Sequence, residues 1–252
     1  MLTLDVAEEL RPLLYASWRR ARQTGLLVGL PIDPDATLGH IVQSVGLPLT
    51  EVGTLRRGDG VLLDPSYRPR AHDVVRVEPP ARPQPLPEPR FLLDVHLGTL
   101  ARRLRLLGLD VAYRNDADDD ELVEQAARED RMLLTRDRGL LQRRALTRGA
   151  YVRGEQPDEQ VRDVLDRFAP PLAPFTRCVS CGAPLRSVPR EQVLDEVEPG
   201  TRRTATRFTR CTACGRVYWP GAHARRLEEL IGMAMSVTSS SVTRSVASPQ
   251  AS

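Results

Sequence analysis

The sequence contains no lysine, so all 36 basic residues are arginine. Codon bias toward GC-rich triplets accounts for such an absence, and it removes every mechanism that needs a catalytic lysine. Any phosphate contact would then be a planar guanidinium fork rather than an ammonium point charge. Aromatic residues are scarce at 4%, so the cores are expected to be built from Leu, Val and Ala. No stretch approaches the ~18 apolar residues of a membrane span. Met1–Arg11 carries acids where a secretory signal would place an apolar run. Cysteine is limited to four residues in two close pairs, which suits a metal site in a reducing cytoplasm better than a disulfide framework. The expectation is a soluble, cytoplasmic protein with no membrane partner.

What is present is ordinary in bulk. Hydrophobic residues make up 41% and charged residues 27%, as in globular proteins generally. The net charge of +3 tolerates an anionic partner without demanding one. A length of 252 residues accommodates two or three small domains. Proline marks their borders. Residues 79–89, rich in Pro, predict a stiff polyproline II linker able to hold its neighbours roughly 30 Å apart. Ala169-Pro170-Pro171-Leu172-Ala173-Pro174 makes a second break, and residues 235–252, rich in Ser, Thr and Val, predict a disordered tail.

Residues 1–78 predict a small α+β module. Apolar residues at 38, 41, 42 and 45 with Gly46 behind them predict a helix over 36–46. Strands are predicted at 52–55, 61–63 and 74–77. The order of short strands around one helix resembles the β-grasp fold of ubiquitin-like and sulfur-carrier proteins. Sulfur carriers end in Gly-Gly, whereas here the last strand runs into Glu78-Pro79-Pro80. A binding or scaffold module, dispensable for chemistry, is therefore expected rather than a carrier.

Residues 90–169 alternate strand and helix signals, which argues a parallel sheet of the α/β class flanked by helices. Strands are predicted at Arg90-Phe91-Leu92-Leu93, Val111-Ala112-Tyr113, Met132-Leu133-Leu134-Thr135 and Ala150-Tyr151-Val152. Helices are predicted where Leu97, Leu100, Leu104 and Leu107 recur before Gly108, after Asp118-Asp119-Asp120-Glu121, and over 157–168. Three acids fall at telling places: Asp94 ends the first strand, Asp119 opens the helix after the second, and Asp137 lies two residues past the third. Ligands of open parallel sheets bind at the carboxyl ends of strands. Several carboxylates there would repel one another, and a hard cation such as Mg²⁺ or Mn²⁺ resolves the repulsion. Each acid also has a plain structural reading. Asp119 is an N-cap candidate, Asp118-x-x-Glu121 has capping-box spacing, and Asp137 is a turn residue before Gly139. Arg136 and Arg138 flank Asp137 as candidate phosphate contacts. Arg102, Arg103 and Arg105 on the first helix read more simply as a solvated face.

Cys178-Val179-Ser180-Cys181-Gly182 and Cys211-Thr212-Ala213-Cys214-Gly215 are two copies of one knuckle. Four thiolates from Cys178, Cys181, Cys211 and Cys214 around Zn²⁺ make a closed structural site with no open position for catalysis. A redox Cys-x-x-Cys would not explain the duplication. A ribbon over 175–230 follows, with a hairpin expected between the knuckles at 193–197 and 204–208. Tyr218 and Trp219 behind it are expected to pack against the 90–169 domain rather than to stack on bases.

The words "FLLD", "LARRLRLLGLDVAYRND", "DDELVEQAARED" and "RMLLTRD" in residues 90–168 resemble the Mut7-C ribonuclease family, a branch of the PIN-like nucleases. Members are similar in carrying a C-terminal zinc ribbon and, in many cases, a ubiquitin-like module in front. The resemblance implies a PIN-like nuclease domain over 90–169 and RNA as partner. It also implies Asp94, Asp119 and Asp137 as ligands of catalytic Mg²⁺ or Mn²⁺, with Asp118 and Asp120 next in line should the helix register differ. The expected function is a metal-dependent ribonuclease in RNA processing or turnover. The rival is a non-catalytic RNA-binding or adaptor protein that keeps the fold. A phosphoacceptor receiver domain also places acids at strand ends, but that chemistry uses a lysine. Toxins of the PIN class are usually single small domains.

Overall fold

The computed structural model describes residues 1–20, 27–30, 35–219, 229 and 231–237. They divide into two compact units, Met1–Ala81 with Thr135–Tyr151, and Arg82–Leu134 with Val152–Ser252.

In the first unit, β1 (Leu2–Val6) and β2 (Leu27–Leu30) flank the short helix α1 (Ala16–Arg20), and α2 (Leu38–Ser44) precedes β3 (Thr54–Arg57) and β4 (Val74–Glu78). The sheet order is β2-β1-β4-β3. The β1 and β4 strands are parallel, with Leu4 opposite Val75, and both neighbours are antiparallel. Strict alternation turns Leu2, Leu4 and Val6 inward from β1 and Val75 and Val77 inward from β4. Thr37 caps α2 by accepting from the His40 N–H at 3.3 Å, and the helix lays Leu38, Ile41 and Val42 on that sheet face. This is the small β-grasp-like module expected from the sequence.

Two expected strands differ from the observed chain. The 52–55 strand begins two residues later, because Leu49–Glu51 forms a 3-10 turn and the Gly53 N–H is taken by the Glu78 carbonyl. Val61–Leu63 is no strand. Past Gly58-Asp59-Gly60, where Gly60 takes φ +89°, it makes an isolated bridge, Arg56–Leu62, with the Arg57 N–H on the Val61 carbonyl and the Leu63 N–H on the Leu55 carbonyl, both at 2.8 Å.

The second unit is built on β5 (Arg90–Leu93), with β6 (Asp110–Tyr113) and β7 (Met132–Thr135) parallel on either side of it. Phe91 faces Val111 on one side and Met132 on the other. The run Phe91-Leu92-Leu93 is wholly buried without alternation, as a strand covered on both faces must be. Helix α3 (Gly98–Leu106) crosses from β5 to β6, and α4 (Asp119–Arg128) crosses from β6 to β7. After α5 (Arg138–Leu141) and β8 (Gly149–Tyr151), α6 (Pro157–Phe168) returns to this unit and sets Phe168 against Phe91, ring centroids 5.5 Å apart.

The proline-rich segment is a strap rather than a free spacer. Arg82 Nη1 lies 2.8 Å from Asp163 and 3.2 Å from Asp166 of α6. Gln84 Oε1 accepts from Arg167 Nε at 2.8 Å. A polyproline II backbone makes no internal hydrogen bonds, so its side chains and free amides are available to a neighbouring helix.

The C-terminal ribbon has β9 (Leu185–Val188), α7 (Pro199–Thr204), β10 (Phe208–Cys211) and β11 (Val217–Tyr218), with antiparallel order β11-β10-β9. The hairpin expected at 193–197 and 204–208 is absent. Pro189 and Pro199 break the chain into 3-10 turns and α7, and Phe208 pairs instead with Val188. Val193 and Val197 still reach the ribbon core, entering from turns. Of the expected disordered tail, Met235–Val237 is helical, and residues 238–252 lie outside the described residues. Among the described residues no helix is long and apolar enough to cross a membrane.

Candidate metal centre and acidic strand ends

The four cysteines come together. Their sulfurs all lie within 4.8 Å of one another, with Cys178–Cys214 at 3.7 Å and Cys181–Cys211 at 3.4 Å. A disulfide needs about 2.05 Å, whereas four sulfurs bound tetrahedrally to Zn²⁺ at ~2.3 Å stand roughly 3.8 Å apart. Each knuckle closes the same way. Gly182 at φ +81° donates to the Cys178 carbonyl at 2.8 Å, and Gly215 at φ +73° donates to the Cys211 carbonyl at 3.2 Å. Backbone N–H groups of Cys181 and Cys214 point at the first sulfur of their own knuckles, at 3.5 and 3.4 Å. The Tyr218 hydroxyl sits 3.0 Å from Cys178 Sγ.

Burial opposes the Cys178 thiolate, but the Tyr218 hydroxyl and the amides of Cys181 and Ser180 outweigh it, and the thiol is brought down to about 6. Burial drives Cys181 the other way, to about 12, with the neighbouring sulfurs adding to the shift. Against burial, Cys211 is lowered as well by the amides of Cys214 and Ala213, so the knuckle amides favour thiolates that burial and the crowding of sulfurs oppose. A dication removes that conflict, and the soft sulfur donor set fits Zn²⁺. The four cysteines are placed to hold a zinc ion.

The knuckles are not a loose appendage. Arg105, buried at 2% exposure, donates from Nε to the Val111 carbonyl at 3.0 Å. Its Nη1 reaches the Ser180 carbonyl at 2.7 Å and that of Val179 at 3.4 Å. Arg177 reaches Asp110 of β6 at 3.2 Å, and Arg131 reaches the same carboxylate at 2.7 Å. A Cβ at Gly182 would stand 2.9 Å from the Val111 carbonyl. The expected solvated face of α3 therefore divides three ways: Arg102 is exposed, Arg103 pairs with Asp158, and Arg105 is the bolt between ribbon and sheet. Heptad reasoning cannot find such an arginine, because its Cα sits where a surface residue belongs and only its long stem reaches inward. Tyr218 and Trp219 make their contacts inside the ribbon, not on the 90–169 domain as expected: Trp219 lies on Phe208 with centroids 6.3 Å apart, and Tyr218 reaches Cys178.

The acidic candidates lie where the chain leaves the strands. Asp94 follows β5 at 6% exposure, its N–H on the Leu134 carbonyl at 3.1 Å and its carbonyl accepting from Leu97 at 2.9 Å. The Tyr113 hydroxyl donates to the neighbouring Val95 carbonyl at 2.9 Å. Gly98 leaves room for that ring, since a Cβ would stand 2.6 Å from the hydroxyl and displace it. At α4 the N-cap is Asp118, not Asp119. Asp118 Oδ1 accepts from the Glu121 N–H at 2.8 Å, and Glu121 Oε2 accepts from the Asp118 N–H at 3.2 Å. The capping box thus occupies Asp118 and Glu121, and Asp119 is exposed in the first turn.

Asp137 belongs to the first unit. It caps the single turn of α5, Oδ1 accepting from Gly139 at 2.6 Å and Leu140 at 3.4 Å, while its own N–H donates to Thr135 Oγ1 at 2.9 Å. Arg136 is half-buried. Arg138 spends its guanidinium within its own unit, on the carbonyls of Leu13 at 2.7 Å and Leu14 at 3.3 Å.

No curated protein and no solved structure matches the chain. Residues 1–85 match the family model described as Mut7-C ubiquitin. Residues 89–231, more than half of the chain, match the model described as Mut7-C RNAse domain. With a parallel sheet, a four-cysteine ribbon fastened to it and a ubiquitin-like module in front, this chain belongs to the Mut7-C RNAse family.

Proposed function

We propose that this chain is a divalent-metal-dependent ribonuclease that hydrolyses RNA phosphodiester bonds in RNA processing or turnover. Family membership supports a ribonuclease-type function in general. The metal dependence is our reading, and one observation carries it. Asp94, Asp119 and Asp137 each follow the carboxyl end of a neighbouring parallel strand, and the N-cap of α4 is Asp118. The donor set is all carboxylate oxygen, which fits Mg²⁺ or Mn²⁺ and not a soft metal. A bound cation would supply Lewis-acid charge and an activated water for phosphodiester attack. Asp94, Asp119 and Asp137 are each candidate ligands for it, and Arg136 is a candidate RNA phosphate contact. Zinc in the ribbon would be structural, its four positions filled by sulfur.

The test is RNA cleavage by the purified full chain with Mg²⁺, with Mn²⁺ and after chelation. Asp94→Asn, Asp119→Asn and Asp137→Asn should each lose cleavage while melting at or above the wild-type temperature without metal, since crowded carboxylates repel. Full activity in all three would leave the rival, an RNA-binding or adaptor protein, in place.

A further inference from the structure

The stretch from Thr135 to Tyr151 falls inside the nuclease-family match yet packs with the ubiquitin-like module. The contacts are specific. Arg138 Nη1 bridges the carbonyls of Leu13 and Leu14, and its guanidinium carbon lies 5.2 Å above the centre of the Tyr15 ring. Leu13 and Leu14 are core residues, 2% and 1% exposed, so those carbonyls sit on a rigid turn. Gly46, at φ +105°, lets α2 abut that turn, since a Cβ there would stand 2.7 Å from the Tyr15 nitrogen. Farther along, Gln142 Nε2 donates to the Gln43 carbonyl at 3.3 Å. The Tyr151 N–H donates to Oε1 of Glu51, which is fully buried, at 2.8 Å. The Tyr151 side chain packs on the module's core. Both ends of the stretch and its middle are therefore held by residues 13–51.

We propose that the ubiquitin-like module is the clamp that sets Asp137, with Arg138 as a positioning residue rather than an RNA contact. This rests on the reading of Asp137 as a metal ligand. Asp137 lies between two fixed points. Its N–H is on Thr135 Oγ1 and its Oδ1 is on the Gly139 and Leu140 amides, while the next side chain is bridged to the core turn. A guanidinium can span two carbonyls and lie over a ring at once, which an ammonium cannot. The clamp contradicts the expectation that residues 1–78 are dispensable for chemistry.

The experiment uses the full chain and the variants Arg138→Gln, Arg138→Lys and Tyr15→Leu, with three readouts: hydrogen exchange of the Gly139 and Leu140 amides, Mn²⁺ binding, and cleavage kinetics. Both Arg138 variants should speed exchange at these amides about tenfold or more. They should weaken Mn²⁺ binding and lower kcat about ten- to a hundredfold with KM for RNA unchanged. Tyr15→Leu, which alters only the module, should shift all three in the same direction. A phosphate contact would instead raise KM, leave exchange and Mn²⁺ binding untouched, and be largely rescued by Lys. Amide exchange like wild type in Arg138→Gln overturns the clamp whatever the activity. A wild type that neither binds Mn²⁺ nor cleaves RNA overturns the nuclease reading while exchange still judges the clamp.

Discussion

Replacing Arg105 by Met should destabilise the sheet as well as the ribbon. Methionine keeps most of the apolar stem, so the change removes the guanidinium with little loss of packing. Two short charge-assisted bonds disappear, to Val111 at 3.0 Å and Ser180 at 2.7 Å. At about 1.5–3 kcal/mol for each bond to a charged group, the gross loss is about 3–6 kcal/mol. Part of it is offset, because the guanidinium is desolvated and burial lowers its pKa against the pull of Cys181 and Cys178. A net cost of about 3 kcal/mol is expected, which for a chain of this size lowers Tm by roughly 6–12 °C. The charge argument adds a sign. Four thiolates around a dication keep two negative charges in excess, so Arg105 stabilises the zinc-loaded state more than the stripped one. Denaturant and thermal melts of both proteins, with and without zinc, measure this. An equal loss in the two zinc states would refute the electrostatic reasoning. Zinc removal that leaves amide protection in β5 and β6 unchanged would refute the mechanical coupling.

The capping geometry predicts a contrast at α4. Asp119→Asn should abolish RNA cleavage without changing Tm, whereas Asp118→Asn should keep activity and lose well under 1 kcal/mol, because Asn caps about as well as Asp. The two knuckle glycines should also differ. Gly215→Ala meets no neighbour and should cost only the ~1–2 kcal/mol of a left-handed residue. Gly182→Ala adds a Cβ 2.9 Å from the Val111 carbonyl and 3.0 Å from Arg105 Nε, and should release zinc to a chelator faster as well as melt earlier. Acid sensitivity should trace partly to Asp110. Burial alone would raise its carboxyl, but Arg131, Arg177 and Arg90 override this and hold it below the ordinary carboxylate range. A depressed folded pKa contributes stability above the unfolded value of about 3.9, lost as pH falls through the folded one. Asp110→Asn should therefore flatten the loss of stability below about pH 4, as acid titration of the fold will read.

Elements governed by local period were legible in the sequence. Buried strands such as Phe91-Leu92-Leu93, the leucine spacing of α3, the Pro at the start of α6 and the duplicated knuckle all carry their signal within a dozen residues. The hairpin between the knuckles is misjudged because apolar spacing fixes which residues are buried, not whether they arrive from a strand or a turn. Val193 and Val197 show it, buried while standing at the ends of 3-10 turns. At 61–63 burial itself fails, Val61 and Leu62 being 47% and 62% exposed.

What composition and period cannot carry is the use of long side chains over long sequence separation. Arg105 and Arg138 are chemically alike, both beside candidate metal ligands, and both read naturally as surface or phosphate-binding arginines. In the fold each spends its guanidinium on carbonyls far away in the chain, Val179 and Ser180 for one, Leu13 and Leu14 for the other. A guanidinium offers five donors in a fixed fork, so a chain whose only cation is arginine has many candidate bolts between segments. Lysine, with a compact and strongly hydrated head, would be costlier to bury in such places and poorer at bridging two carbonyls. The absence that first excluded a catalytic lysine therefore has a second consequence. In this chain a basic residue beside a functional one is as apt to hold the site together as to touch its substrate, and only its acceptors decide which.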